Sequence, residues 1–473
     1  MSLGFNSLSL GSDRTLLKNN KYFIIQSIIL SFVSVFLLFF LRNPLSLYVL
    51  GAIIIGLTLV YDYYIVFSIF LVLVLGPTML FLHVSVLFTP FLLIAFIFGF
   101  KGRFKEHLNF PVLPSLYMYM LACIPSLMNT PRIFLSIRDG YNLIAFVIAI
   151  ISTSIAMKSH KKIILIFYAF ISGMSIHSII VIFQCLTSGK RAFGIMSVFY
   201  VDFAALAALY CLIFFFYAEG NKRFFWLFIS GLNLFGLILT QTRNAWISFA
   251  FGAFALLFYL LVKHKKYKLS RKLVFSTLII FAFVAMSAYF TAIALNPKIS
   301  ERFEMKGKNV STERLSDVFG QNSLATRSLI WYTAYDAFKT SPIFGIGVYA
   351  FKHTSTWYYT IPDDLFEYFV EGKTPHLTYI EVITETGIFG FIFFIYFLYS
   401  ITKFFRKCLI LEQTKGESMR TLLISWTFVY IIFSMFMTEA WLYGQFLMWF
   451  GIMIGLSSGN YILITSKQTK SVC

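Results

Sequence analysis

Three arginines and one histidine stand at places where a mostly apolar chain has little use for them. Arg243 lies in Thr240-Gln241-Thr242-Arg243-Asn244-Ala245-Trp246, between two apolar runs. A guanidinium so placed is costly unless it meets water or an anion. Its planar fork suits phosphate oxygens through paired, charge-assisted bonds. Snorkelling to the headgroup level is the competing reading. Arg191, in Lys190-Arg191-Ala192-Phe193-Gly194, and Arg327, in a stretch of helical periodicity, are two further cations, each set against an ordinary solvated charge. His376, in Thr374-Pro375-His376-Leu377-Thr378-Tyr379, opens an apolar run, where an imidazole can accept a proton or bond a phosphate. A lone histidine is more often structural. Glu381 and Glu385 follow one turn apart on a common helix face. If the helix runs unbroken from His376, Glu381 is rotated from it by about 140°, which favours a structural role for the pair. Glu439, at the end of a late apolar run, is a weaker acidic candidate.

Other chemistries leave no trace. The sequence carries no Walker loop, HExxH, GxSxG or Rossmann glycine pattern. Cys123, Cys185, Cys211, Cys408 and Cys473 form no CxxC pair and no metal-ligand spacing, so they read as unpaired packing residues. No dense carboxylate cluster is present to hold a metal. No metal and no cofactor is therefore expected, and stabilising a developing negative charge falls to arginine.

The elements that must position these residues are membrane helices. The 473 residues are 59% hydrophobic and 12% charged, whereas soluble domains have about 25% charged residues. Mean hydropathy is +0.80. The chain reads as an all-α polytopic membrane protein of about 12–14 transmembrane helices. Fourteen apolar runs are candidates: 22–41, 45–61, 64–82, 84–100, 111–128, 141–157, 163–186, 197–218, 224–240, 245–262, 273–295, 377–402, 421–438 and 442–463. Residues 1–21 are polar, and the run after them is too long for a cleaved signal, so it reads as an uncleaved first span. The net charge of +19 sits mostly in short clusters between runs, which speaks against nucleic acid. With the N-terminus inside, segments 101–107, 158–162, 219–223, 263–272 and 403–420 and the tail 464–473 all fall inside, as the positive-inside rule requires.

This parity divides the chain into a cytoplasmic tail (1–21), a helix bundle (22–295), an outward loop or cap (296–376), C-terminal spans (377–463) and a second cytoplasmic tail (464–473). The loop holds nine basic and nine acidic residues, so it does not oppose the charge rule. It is too long for a simple connection. Within it a helix is expected after Asn322 and Ser323, stopped by Pro342, with Arg327, Trp331, Ala334, Tyr335 and Phe338 on one face.

The order of these motifs resembles the O-antigen ligase and O-antigen polymerase superfamily of bacterial envelope proteins. Thr240-Gln241-Thr242-Arg243 matches its Thr-x-[Ser/Thr]-Arg element, and Arg327 to Trp331 its Arg-x-x-x-Trp helix. Pro342, Gly345 and Gly347 match a Pro-x-x-Gly-x-Gly turn. His376, Tyr379, Glu381, Glu385, Gly387 and Gly390 match His-x-x-Tyr-x-Glu leading into Glu-x-Gly-x-x-Gly. The likeness spans roughly residues 190–400. Leu377 stands where the family often has Asn, and Tyr200 and Asp202 occupy a stretch where Asn is usual.

The resemblance implies a glycosyltransferase of the bacterial inner membrane, metal-independent and inverting. Its donor would be a glycan on undecaprenyl diphosphate. Its acceptor would be lipid A–core sugar for a ligase, or another lipid-linked glycan for a polymerase. Arg191, Arg243 and Arg327 would grip the diphosphate, and His376 would act as base or as a further phosphate contact. Trp357, Tyr358 and Tyr359 would stack on sugars, against the alternative of an interfacial aromatic belt. Two rival classes are a flippase for the same lipid-linked sugars, which would not need the large loop, and an envelope scaffold, which would not need the polar motifs.

Overall fold

The computed structural model describes residues 110–157, 161–188, 200–263, 270–277, 323–414, 419–436 and 444–469, with isolated helical positions between 279 and 290. The first four apolar runs, the N-terminal tail, residues 296–322, Arg191 and Glu439 lie outside the described residues. Among the described residues there is no strand. The main helices are α1 (Leu113–Leu127), α2 (Ile133–Ala156), α3 (Lys161–Ser188), α4 (Tyr200–Tyr217), α5 (Lys222–Leu239), α6 (Arg243–Val262), α7 (Ser323–Thr340), α8 (Asp363–Phe369), α9 (Thr378–Thr414), α10 (Met419–Met435) and α11 (Gly444–Thr469).

Seven of these, α2 to α6, α9 and α11, are long and apolar enough to cross a membrane. Helices α1 and α10 are apolar but shorter. The chain is an all-α polytopic membrane protein. Helix α4 is buried almost all round and forms the centre, as a helix apolar on every face should. Helix α6 instead buries Ala253, Leu256, Leu257 and Leu260 and exposes Phe251, Phe254 and Phe258, an apolar outer face suited to lipid.

Ring contacts fix the helix directions. Tyr119 meets Phe394 and Phe110 meets Phe404, so α1 runs antiparallel to α9. Phe146 stacks on Phe450 and Ser154 bonds Ser458, so α2 and α11 run parallel. That pair packs through Gly451, Gly455 and Gly459. A Cβ at Gly455 would lie 2.5 Å from the Ile150 carbonyl oxygen, so this small-xxx-small stripe is what lets the two backbones approach.

Segment 323–376 sits at one end of the bundle, here called the cap end. Lys222, Arg223, Lys263, Lys403, Arg406, Lys407 and Arg420 lie at the opposite end. There Glu412 is buried and satisfied: Asn460 donates to it at 2.7 Å, the Thr421 N–H at 3.1 Å, and the Arg420 Nε lies 3.4 Å away.

Two helices depart from the runs read off the sequence. The run 141–157 begins eight residues earlier, at Ile133, because Arg138 and Asp139 pair with each other and stay helical. The run 377–402 continues to Thr414, so Lys403, Arg406 and Lys407 belong to a helix extension, where Lys407 bonds the Tyr461 hydroxyl at 2.8 Å.

Candidate functional site

The cap end is built on a joint between two glycine-bearing segments. Helix α9 breaks at Gly387 (φ +65°, ψ −174°). The turn Ser341–Gly347 fits into the break. Its Ile346 and Gly347 N–H groups donate to the carbonyls of Thr384 and Glu385, at 3.2 and 2.9 Å. Ile388 and Phe389 return bonds to the carbonyls of Pro342 and Ile343, at 2.9 and 3.0 Å. A Cβ on Gly345 would strike the Glu385 backbone, and one on Gly387 would strike Ile343, so both positions exclude a side chain.

Glu385 belongs to this joint. Its carboxylate accepts from the N–H groups of Tyr349 at 2.7 Å and Phe351 at 3.1 Å, anchoring the short helical turn Phe351–Thr354. Glu381, one turn earlier, is also buried, but neither of its oxygens has a hydrogen-bond partner. The angular argument relating it to His376 does not apply, because α9 begins only at Thr378.

The joint also docks onto α1 and α2. Asn129 donates to the Gly345 carbonyl at 3.0 Å, and the Val348 N–H donates to Ser126 at 3.1 Å. The His353 imidazole lies 3.1 Å from the Asp139 carboxylate. None of these partners was singled out by sequence. Asp139 and His353 are more than two hundred residues apart, and only the fold pairs them.

Helix α7 packs against α9, and the Thr384 hydroxyl donates to the Ala334 carbonyl at 3.3 Å. Its buried side is Ile330, Thr333, Ala334 and Ala337, while Tyr332 and Tyr335 are exposed. The face shared by Arg327, Trp331, Ala334, Tyr335 and Phe338 is rotated by roughly a quarter turn from the buried one. The reason is close packing: small residues admit the α9 backbone, and the large aromatics are pushed to the flank. Arg327 and Trp331 consequently sit at the edge of the contact, half-buried.

From that edge the charge of Arg327 bears on His376. The Trp331 indole N–H donates to the Pro375 carbonyl at 2.7 Å, fastening α7 to the residue before His376. His376 itself holds a positive φ of 54°, uncommon for a side chain with a Cβ. Gln241, Tyr349 and His376 are the three non-glycine residues with positive φ among those described, and all lie at the cap end. Such outliers gather where surrounding structure enforces a working geometry. Burial, then the charges of Arg327 and Lys373, push the His376 pKa down from 6.5 to about 4. The imidazole is therefore neutral at pH 7. Lys373 was not singled out by sequence, and its signal there is only its place three residues before the histidine.

Arg243 is the first residue of α6, exposed, just after the turn at Gln241. The Trp246 indole closes that turn on the Leu237 carbonyl at 3.1 Å. Phe251 stacks on Phe433 near the end of α10, and Phe436 packs on Tyr379 at 4.4 Å. Arg243 thus shares the cap end with Arg327 and His376. Tyr200 and Asp202 join helices: the Tyr200 hydroxyl bonds Ser178 at 2.6 Å, and Asp202 accepts from Tyr430 at 2.7 Å. Of the aromatics expected to stack on sugars, Trp357 is exposed. Tyr359 is committed to the cap, stacked 3.8 Å from Phe366 and bonded to Asp363.

Among the described residues no group of His, Cys, Asp and Glu is arranged to hold a metal ion. Residues 228–395 match a family model described as O-Antigen ligase. A search of curated proteins gave no match. The matched stretch contains Arg243, Arg327, His376, Glu381, Glu385 and both halves of the glycine joint. Arg191 and Glu439 fall outside it.

Proposed function

From the premise that this chain, through residues 228–395, is a member of the O-antigen ligase and polymerase superfamily, we propose that it transfers a glycan from undecaprenyl diphosphate to an acceptor sugar at the periplasmic face of the bacterial inner membrane. The acceptor we propose is the core sugar of lipid A. The observation that carries this reading is the meeting of Arg327 and His376 at the end where Arg243 also lies, held by a rigid glycine joint.

The chemistry asked of the site is simple. An acceptor hydroxyl attacks the anomeric carbon of the donor. The bond from that carbon to the diphosphate oxygen breaks, and undecaprenyl diphosphate leaves with the electron pair. The anomeric centre inverts in this single displacement. Negative charge grows on the leaving diphosphate, and Arg191, Arg243 and Arg327 stabilise it. His376 receives the hydroxyl proton. Its neutral state suits that task, and an anion seated among the cations weakens the positive field that opposes protonation. The cap orients the acceptor against the donor.

The test is transfer in detergent, with synthetic lipid-linked glycan and a lipid A–core acceptor. Product formed without any membrane compartment supports an enzyme, and its absence with retained lipid translocation in vesicles supports a flippase. Arg243→Ala should abolish transfer while expression and insertion persist; full activity in that variant removes Arg243 from the mechanism. In cells, loss of the gene followed by surface-polysaccharide electrophoresis separates the two enzyme readings. A complete core without long chains, with accumulated lipid-linked polymer, means ligase; a single added repeat means polymerase.

A further inference from the structure

The glycine joint also sets a depth. In an unbroken helix the N–H groups of Ile388 and Phe389 would donate to the carbonyls of Thr384 and Glu385. The break at Gly387 loses both bonds, and the turn 341–347 replaces them on both sides. Ile346 and Gly347 donate to those two carbonyls, and the carbonyls of Pro342 and Ile343 take the two N–H groups. In water, freed backbone groups can bond solvent; in hydrocarbon they need partners from the protein. The Phe344 ring lies 5.8 Å from the ring of Phe389, so the two residues share a level. Lys403, at the far end of the same helix, stands fourteen residues beyond Phe389, a rise of about 21 Å. The apolar layer of a bilayer is about 30 Å thick, and any tilt of α9 shortens its reach. With Lys403 at the opposite boundary, Phe344 lies below the cap-side boundary by several ångströms, even when the lysine snorkels.

The side chains suit that depth. Residues 340–351 carry no charge. Ile343 is 60% exposed and Phe344 40%. Through Phe389 they extend an exposed apolar stripe of α9 formed by Ile388, Ile392, Ile395 and Tyr399 at helical spacing. Just before the turn the character changes. Tyr332 and Tyr335 are exposed, and the Lys339 ammonium lies 4.9 Å from the Tyr335 ring centroid, a pairing of ring and cation that suits the membrane–water interface. We propose that the turn 342–344 enters the bilayer, with Ile343 and Phe344 among the lipid acyl chains of the cap-side leaflet, beside α9. The cap is thereby pinned into the membrane, and α7, which leads into the turn, is held at headgroup depth. Such insertion depends on α9 spanning the membrane and is independent of the transferase reading.

The test reads the surroundings of these two side chains in the full chain, purified into nanodiscs of phosphatidylcholine. A nitroxide is attached at Ile343→Cys or at Phe344→Cys, in a Cys473→Ser background that keeps the buried Cys123, Cys185, Cys211 and Cys408. Collisions with dissolved oxygen, which concentrates among acyl chains, are compared with collisions with a water-soluble nickel chelate. Oxygen should dominate at both positions, as at Ile392→Cys on the α9 stripe, and the ratio should invert at Lys352→Cys on an exposed part of the cap. Nickel dominating at both turn positions would put the turn in water and overturn the proposal. Protection from both reagents would mean that protein covers the turn, and overturns it equally. The unsubstituted chain guards against a folding artefact. A phospholipid with a photoactivatable diazirine in its acyl chain should label the tryptic peptide 340–352 as well as 374–403, which holds the α9 stripe. Label on 374–403 alone overturns the proposal, whatever the cysteine variants show.

Discussion

Two titratable side chains at opposite ends of the helix bundle, Glu412 and His376, sit in different charge surroundings. Away from the cap, opposite charges meet. Glu412 is buried against Arg420, with Asn460 and a backbone N–H completing its bonds. At the cap end, burial first, and then the charges of Arg327 and Lys373, keep the His376 imidazole neutral. The first arrangement ties α9, α10 and α11 together. The second ties α7 to the start of α9 through the Trp331–Pro375 bond. An imidazole whose pKa is shifted by burial and by neighbouring cations is a functional-site candidate. The difference separates a residue that holds helices together from residues proposed to do chemistry.

Breaking one arginine at each end gives the largest contrast. Arg327→Ala should lower transfer at least a thousandfold, in the range seen when a preorganised charge-stabilising group is lost, with little change in thermal unfolding. Arg420→Ala should do the reverse. It leaves Glu412 without its cation and costs about 1–3 kcal/mol of stability, while turnover per folded molecule is kept. Transfer rates and unfolding curves in detergent measure both. Equal loss of activity in the two variants would erase the contrast.

The pH dependence sharpens it next. Because the pKa of His376 is lowered from 6.5 to about 4, the unfolded chain takes up this proton first as pH falls. Its contribution to native stability is thus present above about pH 6.5 and declines as the pH drops towards 4. His376→Gln should flatten that part of the stability profile. In catalysis, donor binding brings negative charge to the imidazole and raises its pKa. The acid limb of kcat should therefore lie at higher pH than the acid limb of kcat/KM. Coincident limbs would mean that His376 does not sense the donor.

The smallest expected effects concern the two glutamates of α9. Glu385→Gln weakens two bonds to the N–H groups of Tyr349 and Phe351 and should cost about 1–3 kcal/mol. Glu381→Gln removes a buried carboxyl that has no hydrogen bond to lose, so unfolding should move little or shift upwards. A fall in Glu381→Gln as large as in Glu385→Gln would show that Glu381, too, holds the joint.

Several features were legible in the sequence because they follow from local chemistry. Apolar runs of spanning length announce membrane helices, and clustered basic residues fix which helix ends share a side. Pro342 stops α7 because a proline cannot continue a helix, and Arg243, Arg327 and His376 draw notice as polar residues at apolar borders. Other features depend on contacts between distant residues, and local pattern does not encode these. Helical periodicity alone did not tell which face of α7 is buried, since that face is decided by how closely the α9 backbone approaches Ala334. The Gly451-Gly455-Gly459 stripe was readable but carried no meaning until α2 lay against it. The pairing of Asp139 with His353 needed the fold, as did the fit of Gly345 into the break at Gly387. Composition and spacing determined that the chain lives in a membrane and which residues were candidates. Tertiary structure decided which of them meet, because electrostatics and hydrogen bonds act across a few ångströms of space, however far apart the residues lie in the chain.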